Sequence, residues 1–331
     1  MQHPSVAAYV LANDRAYGWL QAFVHSFRHW NPDLPLYLIP YDDQHEKALR
    51  VVRRFRGELY RSHAIQWADA RCACLCGGSS RGVGKYRRLA LLFDAAPISF
   101  YFDSDVVITH PLDPLAQAFR AHDAALAYAD AWSGAYRDKA LAERMRSEYG
   151  SREFCSGALA IKPGRLLSQD RAESLIQEIA PRRRELFSRN DQSLLNWFVD
   201  LTGSHAVSFA DVLEGVSQTH IPRRKRRLRF DARGAIVKSG DPQAGKRCIC
   251  CHWPGYRADA RMPCARVFLR WRLAGMSPAE RTRYLAVFHA QGWSHAVARL
   301  PSKYHRSIVK RLRALRGLPP PPRRRQRIAK H

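Results

Sequence analysis

Short apolar runs and amphipathic stretches alternate along the first third of the chain. Apolar runs predict three strands, at Val6–Leu11, Leu36–Ile39 and Ile98–Phe102. Apolar residues at helical spacing predict three helices. The first follows the first strand and has Asp14 as its N-terminal cap. The second, Glu46–Phe55, follows the second strand, and the third, Tyr86–Ala95, precedes the third strand. Strands that alternate with helices predict an α/β fold, with a mostly parallel sheet covered on both faces.

The rest of the chain continues the pattern and then changes character. Further strands are predicted at Ala124–Tyr128, Ala158–Ile161, His205–Phe209 and Cys248–His252, with a hairpin at Leu228–Lys238. Helices are predicted from Asp191-Gln192 through Val199 and at Val267–Ala274, Pro278–Gln291 and Tyr304–Leu315. The last segment holds four consecutive prolines and three consecutive arginines, which predicts disorder. We therefore expect a catalytic domain over 1–266, a basic helical region over 267–316 and a disordered tail over 317–331.

Composition excludes several classes of protein. The chain has 331 residues, of which 46% are hydrophobic and 25% charged, which is typical of a globular protein. It has no apolar window of the roughly 18 residues that a membrane-spanning helix needs, and its first residues lack the pattern of a signal peptide. The sequence thus predicts a cytoplasmic protein whose eight cysteines are reduced thiols or metal ligands.

Positive charge is concentrated in the last third of the chain. Residues 1–220 carry 26 Lys and Arg against 25 Asp and Glu, whereas residues 221–331 carry 29 against 4. A nearly neutral body with a basic extension predicts contact with something anionic, such as a membrane surface, nucleic acid or a phosphorylated acceptor. Aromatic residues are interleaved with the arginines of this region: Trp271, Tyr284, Trp293 and Tyr304. They fit either an amphipathic surface that lies in lipid headgroups or a helical cap that packs on the rest of the protein.

The sharpest local feature is Asp103-Ser104-Asp105, which directly follows the predicted strand Ile98–Phe102. Two carboxylates this close repel each other unless a cation shares them or both reach solvent. Hard oxygen ligands suit Mg²⁺ or Mn²⁺, and phosphate oxygens commonly complete the coordination of such an ion. Asn13 and Asp42 follow other predicted strands, so all these polar groups are expected at the carboxyl edge of the sheet, where ligands of α/β proteins bind.

Five other segments accompany the acidic pair. One, Leu11–Tyr17, covers the end of the first strand and its turn, and a basic segment begins at Lys85. The others are Phe154-Cys155-Ser156-Gly157-Ala158, Asp191-Gln192-Ser193-Leu194-Leu195-Asn196 and His252-Trp253-Pro254-Gly255. In this order, over residues 6–256, they resemble the retaining nucleotide-sugar glycosyltransferases of family 8, as a divergent bacterial branch.

That resemblance implies a GT-A fold, a nucleotide-sugar donor such as a UDP-sugar, and a glycan or lipid-linked acceptor. It implies a divalent cation, Mn²⁺ or Mg²⁺, held by Asp103, Asp105 and His252. It places Gln192 under the anomeric carbon, with Asp191 beside it. It assigns donor contacts to Ala12, Asn13, Tyr17, Lys85, Ser104, Ser156, Gly157 and Gly255. The basic third is similar in character to tails that hold bacterial glycosyltransferases on the inner membrane face.

The chain departs from the family pattern at two positions. Cys155 stands where the family commonly has asparagine, and Tyr256-Arg257 follow the histidine segment in place of lysine and Pro-Trp. Arg257 could supply the missing phosphate contact. The resemblance therefore does not predict which sugar the donor carries.

Alternative functions start from the same residues. Asp103-Ser104-Asp105-Val106-Val107 also fits the opening motif of haloacid-dehalogenase phosphatases, with Asp103 as nucleophile, although three strand-helix units precede it. A nucleic-acid-binding protein would use the basic run at 223–227 and Arg229, but the chain shows no known nucleic-acid module. The cysteines at 72, 74 and 76 and at 248, 250 and 251 could bind zinc, but they lack the paired C-x-x-C spacing of common zinc modules.

Overall fold

The computed structural model describes residues 4–76, 80–187, 191–204, 206–218, 220–222, 228–231, 234–237 and 243–298. The chain divides into two compact units, one of Met1–Tyr256 with Arg266–Ala274 and one of Arg257–Ala265 with Gly275–His331. The predicted helix Tyr304–Leu315, the tail and the basic run at 223–227 lie outside the described residues. The domain boundaries at 266 and 316 stay predictions.

The first unit contains three sheets. Its strands are β1 (Val6–Ala12), β2 (Leu36–Pro40), β3 (Glu58–Leu59), β4 (Ile98–Asp103), β5 (Val106–Ile108), β6 (Leu126–Tyr128), β7 (Ala158–Ile161), β8 (Ala206–Ser208), β9 (Leu228–Asp231), β10 (Gly234–Val237), β11 (Arg247–Cys248) and β12 (Cys250–His252). The main sheet has seven strands in the order β3-β2-β1-β4-β7-β6-β8. A three-stranded sheet has the order β11-β10-β9, and β12 pairs with β5.

Helices surround the main sheet. In chain order the α-helices are α1 (Tyr17–Trp30), α2 (Glu46–Arg54), α3 (His63–Cys72), α4 (Asp113–Ala121), α5 (Lys139–Tyr149), α6 (Gln169–Ile179), α7 (Arg183–Leu186), α8 (Asp191–Thr202), α9 (Phe209–Val212), α10 (Ala265–Arg272) and α11 (Pro278–Ala298). Short 3₁₀ segments cover Asp14–Ala16, Ala73–Cys76 and Ala180–Arg182, and a longer one covers Ser80–Leu92.

The direction of the strands determines which loops meet at one edge. β1 pairs in parallel with β2 and β4, whereas β7 runs antiparallel to both β4 and β6. The carboxyl ends of β1, β2, β4 and β6 therefore share an edge with the amino end of β7. This arrangement confirms the predicted mostly parallel α/β sheet and brings the loop before β7 next to the acidic pair.

Two apolar clusters cover the two faces of this sheet. One contains Tyr9 and Tyr101 of the strands with residues of α3, α5, α6 and α8, and the other contains Phe100 and Phe102 with residues of α1, α2 and α4. α10 packs on α1 within the first unit, since the ring of Phe268 lies 4.7 Å from that of Trp19 and the ring of Trp271 lies 4.9 Å from that of His29.

The structure corrects three local predictions. The predicted helix Tyr86–Ala95 is the 3₁₀ segment Ser80–Leu92. The predicted strand Cys248–His252 is divided between β11 and β12, which belong to different sheets. Asp14 does not cap the helix that follows it; its carboxylate accepts from the backbone N–H groups of Lys47 and Ala48, and so caps α2. Asn13 caps the intervening 3₁₀ turn by accepting from Arg15 N–H.

The second unit is built around α11. Ser277 precedes this helix, and the Glu280 carboxylate accepts its backbone N–H at 2.8 Å. The N–H of Ala260 donates to the Phe288 carbonyl at 3.3 Å, and Gly292 gives room for the Ala260 methyl group. Of the helices in the described part of the chain, none is long and apolar enough to cross a membrane.

Candidate functional site

The acidic pair sits on a turn between two buried strands. β4 ends at Asp103, Ser104 and Asp105 form the turn, and β5 begins at Val106. Both carboxyl side chains are only partly exposed, at 29% and 23% of their surface. Phe102 and Val106 are fully buried on either side, so the core holds the turn in place.

β12 brings His252 to this turn. It pairs antiparallel with β5 so that His252 lies opposite Val106, and the N–H of Trp253 donates to the Asp105 carbonyl at 3.1 Å. The imidazole Nε2 lies 3.4 Å from Asp105 Oδ1 and 3.9 Å from Asp103 Oδ2. One ligand atom from each of the three residues falls within 4.8 Å of the others. We call Asp103, Asp105 and His252 the cation cluster.

The chemistry of the cation cluster fits a divalent cation. His252 is 1% exposed, and among the described residues its Nε2 has no hydrogen-bond partner. Burial works to lower the pKa of His252, but the carboxylate of Asp105 outweighs it and raises the pKa well above the ordinary value. A buried imidazole nitrogen that lies 3.4 and 3.9 Å from oxygens of two carboxylates has the arrangement of a ligand set.

Gly157 leaves the space in which the cluster forms. A Cβ at this position would lie 2.2 Å from His252 Cε1 and 2.9 Å from Asp103 Oδ2. The Gly157 carbonyl accepts from the Asp103 N–H at 2.8 Å, which ties the loop before β7 to the end of β4. Any side chain here would displace the imidazole or the carboxylate, so the geometry requires glycine.

Arg88 is the central residue that the sequence interpretation missed. Its guanidinium pairs with Asp103 Oδ1 at 2.9 Å and with Asp191 Oδ2 at 3.2 Å. It also donates to the carbonyl and hydroxyl of Ser156, at 2.9 and 3.0 Å. It therefore joins three of the segments singled out in the sequence. The predicted basic residue, Lys85, lies one turn earlier and is half-buried.

Burial and charge act in opposite directions on Arg88. Its side chain is 7% exposed, and burial alone would lower the pKa of the guanidinium. The carboxylates of Asp103 and Asp191 outweigh that effect and raise the pKa above its ordinary value. The ring of Tyr101 lies under the guanidinium, 4.5 Å away, and its hydroxyl donates to Asp103 Oδ1 at 2.5 Å. Asp103 Oδ2 therefore remains the oxygen that faces His252.

α8 places Asp191 and Gln192 beside this network. The Asn196 side chain accepts from Phe154 N–H at 2.9 Å and donates to the Phe154 carbonyl at 3.0 Å, which fixes α8 against the loop before β7. Gln192 Oε1 lies 3.5 Å from the Ser156 N–H, a long contact. Its Nε2 is buried and, among the described residues, has no hydrogen-bond partner. Buried polar groups are normally paired, so an amide donor without a partner among the described residues marks Gln192 as a candidate functional residue.

The remaining predicted donor contacts are distributed along the same edge. The Ala12 carbonyl accepts from Tyr41 N–H at 2.9 Å, and the Asn13 amide donates to Asp42 at 2.8 Å. Tyr17 begins α1 and is 38% exposed. Ser104 lies in the acidic turn, and Gly255 has φ +73° in an exposed turn after β12. None of these residues contacts the cation cluster through a hydrogen bond or ion pair in the described part of the chain.

Among the described residues, no cysteine belongs to a group that could hold a metal ion. In the part of the chain that the structure describes, the cation cluster is the one group of three His, Cys, Asp or Glu residues with ligand atoms close enough to hold a metal ion. Cys155, which replaces the expected asparagine, lies with its Sγ 3.8 Å from His252 Nδ1. Burial raises the pKa of the Cys72 and Cys250 thiols well above the ordinary value. These two cysteines therefore pack as neutral apolar groups.

Comparison with known proteins identifies the fold. No family model matches the chain, and no curated protein matches its sequence. Among solved structures, the galactosyltransferase LgtC in complex with donor and acceptor sugar analogues superposes with a TM-score of 0.55 at 16% identity, over 84% of this chain and 99% of LgtC. This protein has the GT-A fold. The bifunctional glycosyltransferase WbbM superposes with a TM-score of 0.53 at 11% identity, over 85% of this chain and 51% of WbbM.

The GT-A fold confirms the architecture that the sequence motifs implied. The acidic turn after β4, the loop before β7 and the start of α8 lie where the antiparallel β7 brings them together. The GT-A fold favours neither the phosphatase nor the nucleic-acid-binding alternative.

Proposed function

We propose that the protein is a retaining glycosyltransferase that moves a sugar from a nucleotide-sugar donor, a UDP-sugar, to a glycan or lipid-linked acceptor. The observation that carries this proposal is the cation cluster beside the unpaired amide of Gln192, on a GT-A fold. Two acids and an imidazole suit a cation, and the amide suits the sugar that a cation-bound diphosphate would present.

Asp103, Asp105 and His252 would hold the cation through one oxygen or nitrogen each. The nitrogen ligand favours Mn²⁺ over Mg²⁺, because Mg²⁺ prefers oxygen ligands throughout. Once bound, the cation would neutralise the charge that develops on the leaving nucleoside diphosphate. Arg88 and Tyr101 orient Asp103 by occupying its Oδ1, which leaves Oδ2 directed at the cluster.

Gln192 would stabilise positive charge at the anomeric carbon from below the sugar. Its Oε1 lies 3.5 Å from the Ser156 N–H, and an amide oxygen offers partial negative charge to the anomeric carbon without acting as a strong base. Asp191 is engaged by Arg88 and so acts as the group that positions this corner of the site. In LgtC, replacement of a glutamine by glutamate has been described as an active-site mutation, which supports an amide in this role.

The remaining donor contacts would come from the other loops at the same edge. Ala12 ends β1, Asn13 and Tyr17 follow it, and all three suit the nucleoside. Lys85 suits the diphosphate, and Ser104, Ser156, Gly157 and Gly255 complete the donor-binding residues.

We further propose that the basic region from residue 221 onward attaches the protein peripherally to the anionic inner face of the cytoplasmic membrane. Its 29 basic against 4 acidic residues support this proposal, because each Lys or Arg near an anionic bilayer contributes about 1 kcal/mol. Removal of 317–331 should weaken sedimentation with phosphatidylglycerol vesicles at low salt and leave donor hydrolysis intact. Equal sedimentation of both forms would contradict an anchor in the tail, and tight binding to duplex RNA or DNA but not to vesicles would favour the nucleic-acid alternative.

The proposed activity can be tested without knowledge of the acceptor. Purified protein with Mn²⁺ is incubated with UDP- and GDP-sugars, and release of nucleoside diphosphate is measured, with Asp105→Asn as the inactive control. We expect slow hydrolysis of one UDP-sugar by the wild type, and NMR of the released sugar should show retained configuration. Hydrolysis of no nucleotide-sugar, or equal rates in the control, would contradict the proposal, and an inverted product would contradict the same-face mechanism.

A further inference from the structure

A second concave site lies between α1 and α2, and no residue of the cation cluster lines it. Its volume is about 290 Å³. We call it the cationic groove, and its lining residues are Tyr17, Gln21 and His25 from α1 and Lys47, Arg50, Val51, Arg54 and Phe55 from α2 and its C-terminal end.

Helical periodicity explains why these residues meet. Lys47, Arg50 and Arg54 are spaced by three and four residues, so they share one face of α2, while Ala48 and Val52 point into the core. On α1 the groove residues recur every fourth position, which also gives a single face. The groove is therefore built by two regular helices.

The positive charge of the groove is not balanced within the described residues. No acidic residue lines it, and the side chains of Lys47, Arg50 and Arg54 form no ion pair or hydrogen bond in the described part of the chain. Elsewhere in the first unit, Arg87 pairs with Asp69 at 2.8 Å. Like charges three or four residues apart on a helix repel each other, so this arrangement favours an anionic ligand.

The α1 side of the groove offers neutral polar groups. Gln21 Nε2 donates to the Tyr17 hydroxyl at 3.0 Å, while Gln21 Oε1 is buried and, among the described residues, has no hydrogen-bond partner. The His25 ring is half-buried, with its centre 4.7 Å from that of Phe55. Burial, and after it the charges of Arg54 and Arg272, lower the pKa of His25. The groove thus combines a positive wall with the neutral polar side chains of Tyr17, Gln21 and His25.

We propose that the cationic groove binds a phosphorylated sugar. Lys47, Arg50 and Arg54 would hold the phosphoryl group, for which guanidinium groups are suited by their paired donors. The imidazole of His25, which lines the groove, would form a hydrogen bond with a sugar hydroxyl. The volume lies near the lower end of the range for small-molecule sites, about 300–1,000 Å³, and is enough for one phosphorylated ring.

The position of the groove connects it with the sheet edge that carries the cation cluster. Tyr17 begins α1 shortly after the end of β1, and Lys47 lies in the first turn of α2, which follows β2. A phosphorylated acceptor held in the groove would therefore extend toward the carboxyl edge of the sheet. This acceptor role rests on the proposed function, whereas binding in the groove does not.

Calorimetry with glucose 6-phosphate in EDTA and low salt tests the groove alone, because EDTA removes cations from the cation cluster. The double variant Arg50→Gln/Arg54→Gln should bind at least tenfold more weakly than the wild type. Arg53→Gln, an exposed arginine on the same helix that does not line the groove, is the matched control and should bind like the wild type. His25→Phe should weaken binding of glucose 6-phosphate more than binding of inorganic phosphate.

Three results would overturn the proposal. Equal affinity of the wild type and the double variant would place binding elsewhere. Sulfate bound as tightly as glucose 6-phosphate would mean a site for any anion. Phosphatidylglycerol vesicles bound through Arg50 and Arg54 without binding of glucose 6-phosphate would mean a lipid-facing surface. Donor hydrolysis should be unchanged in the double variant. If the wild type hydrolyses no donor, that result contradicts the proposed function but does not affect the binding result.

Discussion

Charged side chains around the cation cluster are paired with one another, whereas those of the cationic groove are not paired among the described residues. Around the cluster, the buried guanidinium of Arg88 pairs with two carboxylates, and His252 faces the acidic turn. In the groove, exposed Lys47, Arg50 and Arg54 have no acidic partner among the described residues.

Burial explains the difference. A charge removed from water must be paired within the protein, because an unpaired buried charge costs several kcal/mol. Exposed cations stay hydrated and can leave pairing to a ligand. The loss of a charge should therefore destabilise the fold near the cluster, whereas in the groove it should weaken only binding.

The largest expected effect is that of Asp105→Asn. The substitution keeps the shape of the side chain but removes one charged cation ligand, so activity should fall by about 1,000-fold, as the loss of several kcal/mol of charge stabilisation implies. Calorimetry should show no Mn²⁺-dependent binding of UDP. Asp123→Asn, at an exposed position outside the cluster, is the control. Unchanged affinity for UDP in Asp105→Asn would mean that the acidic turn binds no cation.

Arg88→Met directly tests the pairing of buried charge. It leaves the carboxylates of Asp103 and Asp191 without the guanidinium that pairs with them, so the free energy of unfolding should fall by about 3 kcal/mol. Denaturant titration measures this change. Arg146→Met removes the exposed pair with Glu143 and should cost about 1 kcal/mol or less. Equal losses in the two variants would contradict the special role of Arg88.

Gln192→Ala should affect the chemical step rather than the fold. Loss of an interaction made mainly in the transition state lowers kcat, here by about 100-fold, with little change in the KM for the donor. Steady-state kinetics with the identified donor measures both constants. Gln177→Ala, at an exposed position of α6, is the control. A change confined to KM would assign Gln192 to ground-state binding.

The smallest effect on stability is expected in the groove. Arg50→Gln and Arg54→Gln should each change the free energy of unfolding by less than about 0.5 kcal/mol, because neither arginine is buried or paired. Thermal unfolding measures this change. A loss as large as that of Arg88→Met would show that the groove arginines are structural, and the contrast between the two regions would disappear.

Local patterns predicted much of the fold and part of the site. Apolar runs located β1, β2, β4 and β7, and the acidic pair was visible because only one residue separates Asp103 from Asp105. Arg88 could not be distinguished from Lys85 and Arg87, since each is a basic residue of one short segment. The signal available was its position one helical turn after Lys85, but which of the three is buried depends on packing against Tyr101.

The sequence by itself determined the alternation of strands and helices and the chemistry available at the carboxyl edge. Only the tertiary structure decided which distant segments meet there. The antiparallel direction of β7 brings Gly157 to Asp103, and the pairing of β12 with β5 brings His252 to Asp105. These contacts join residues far apart in the chain, and their register depends on burial of whole strand faces, which no local pattern specifies.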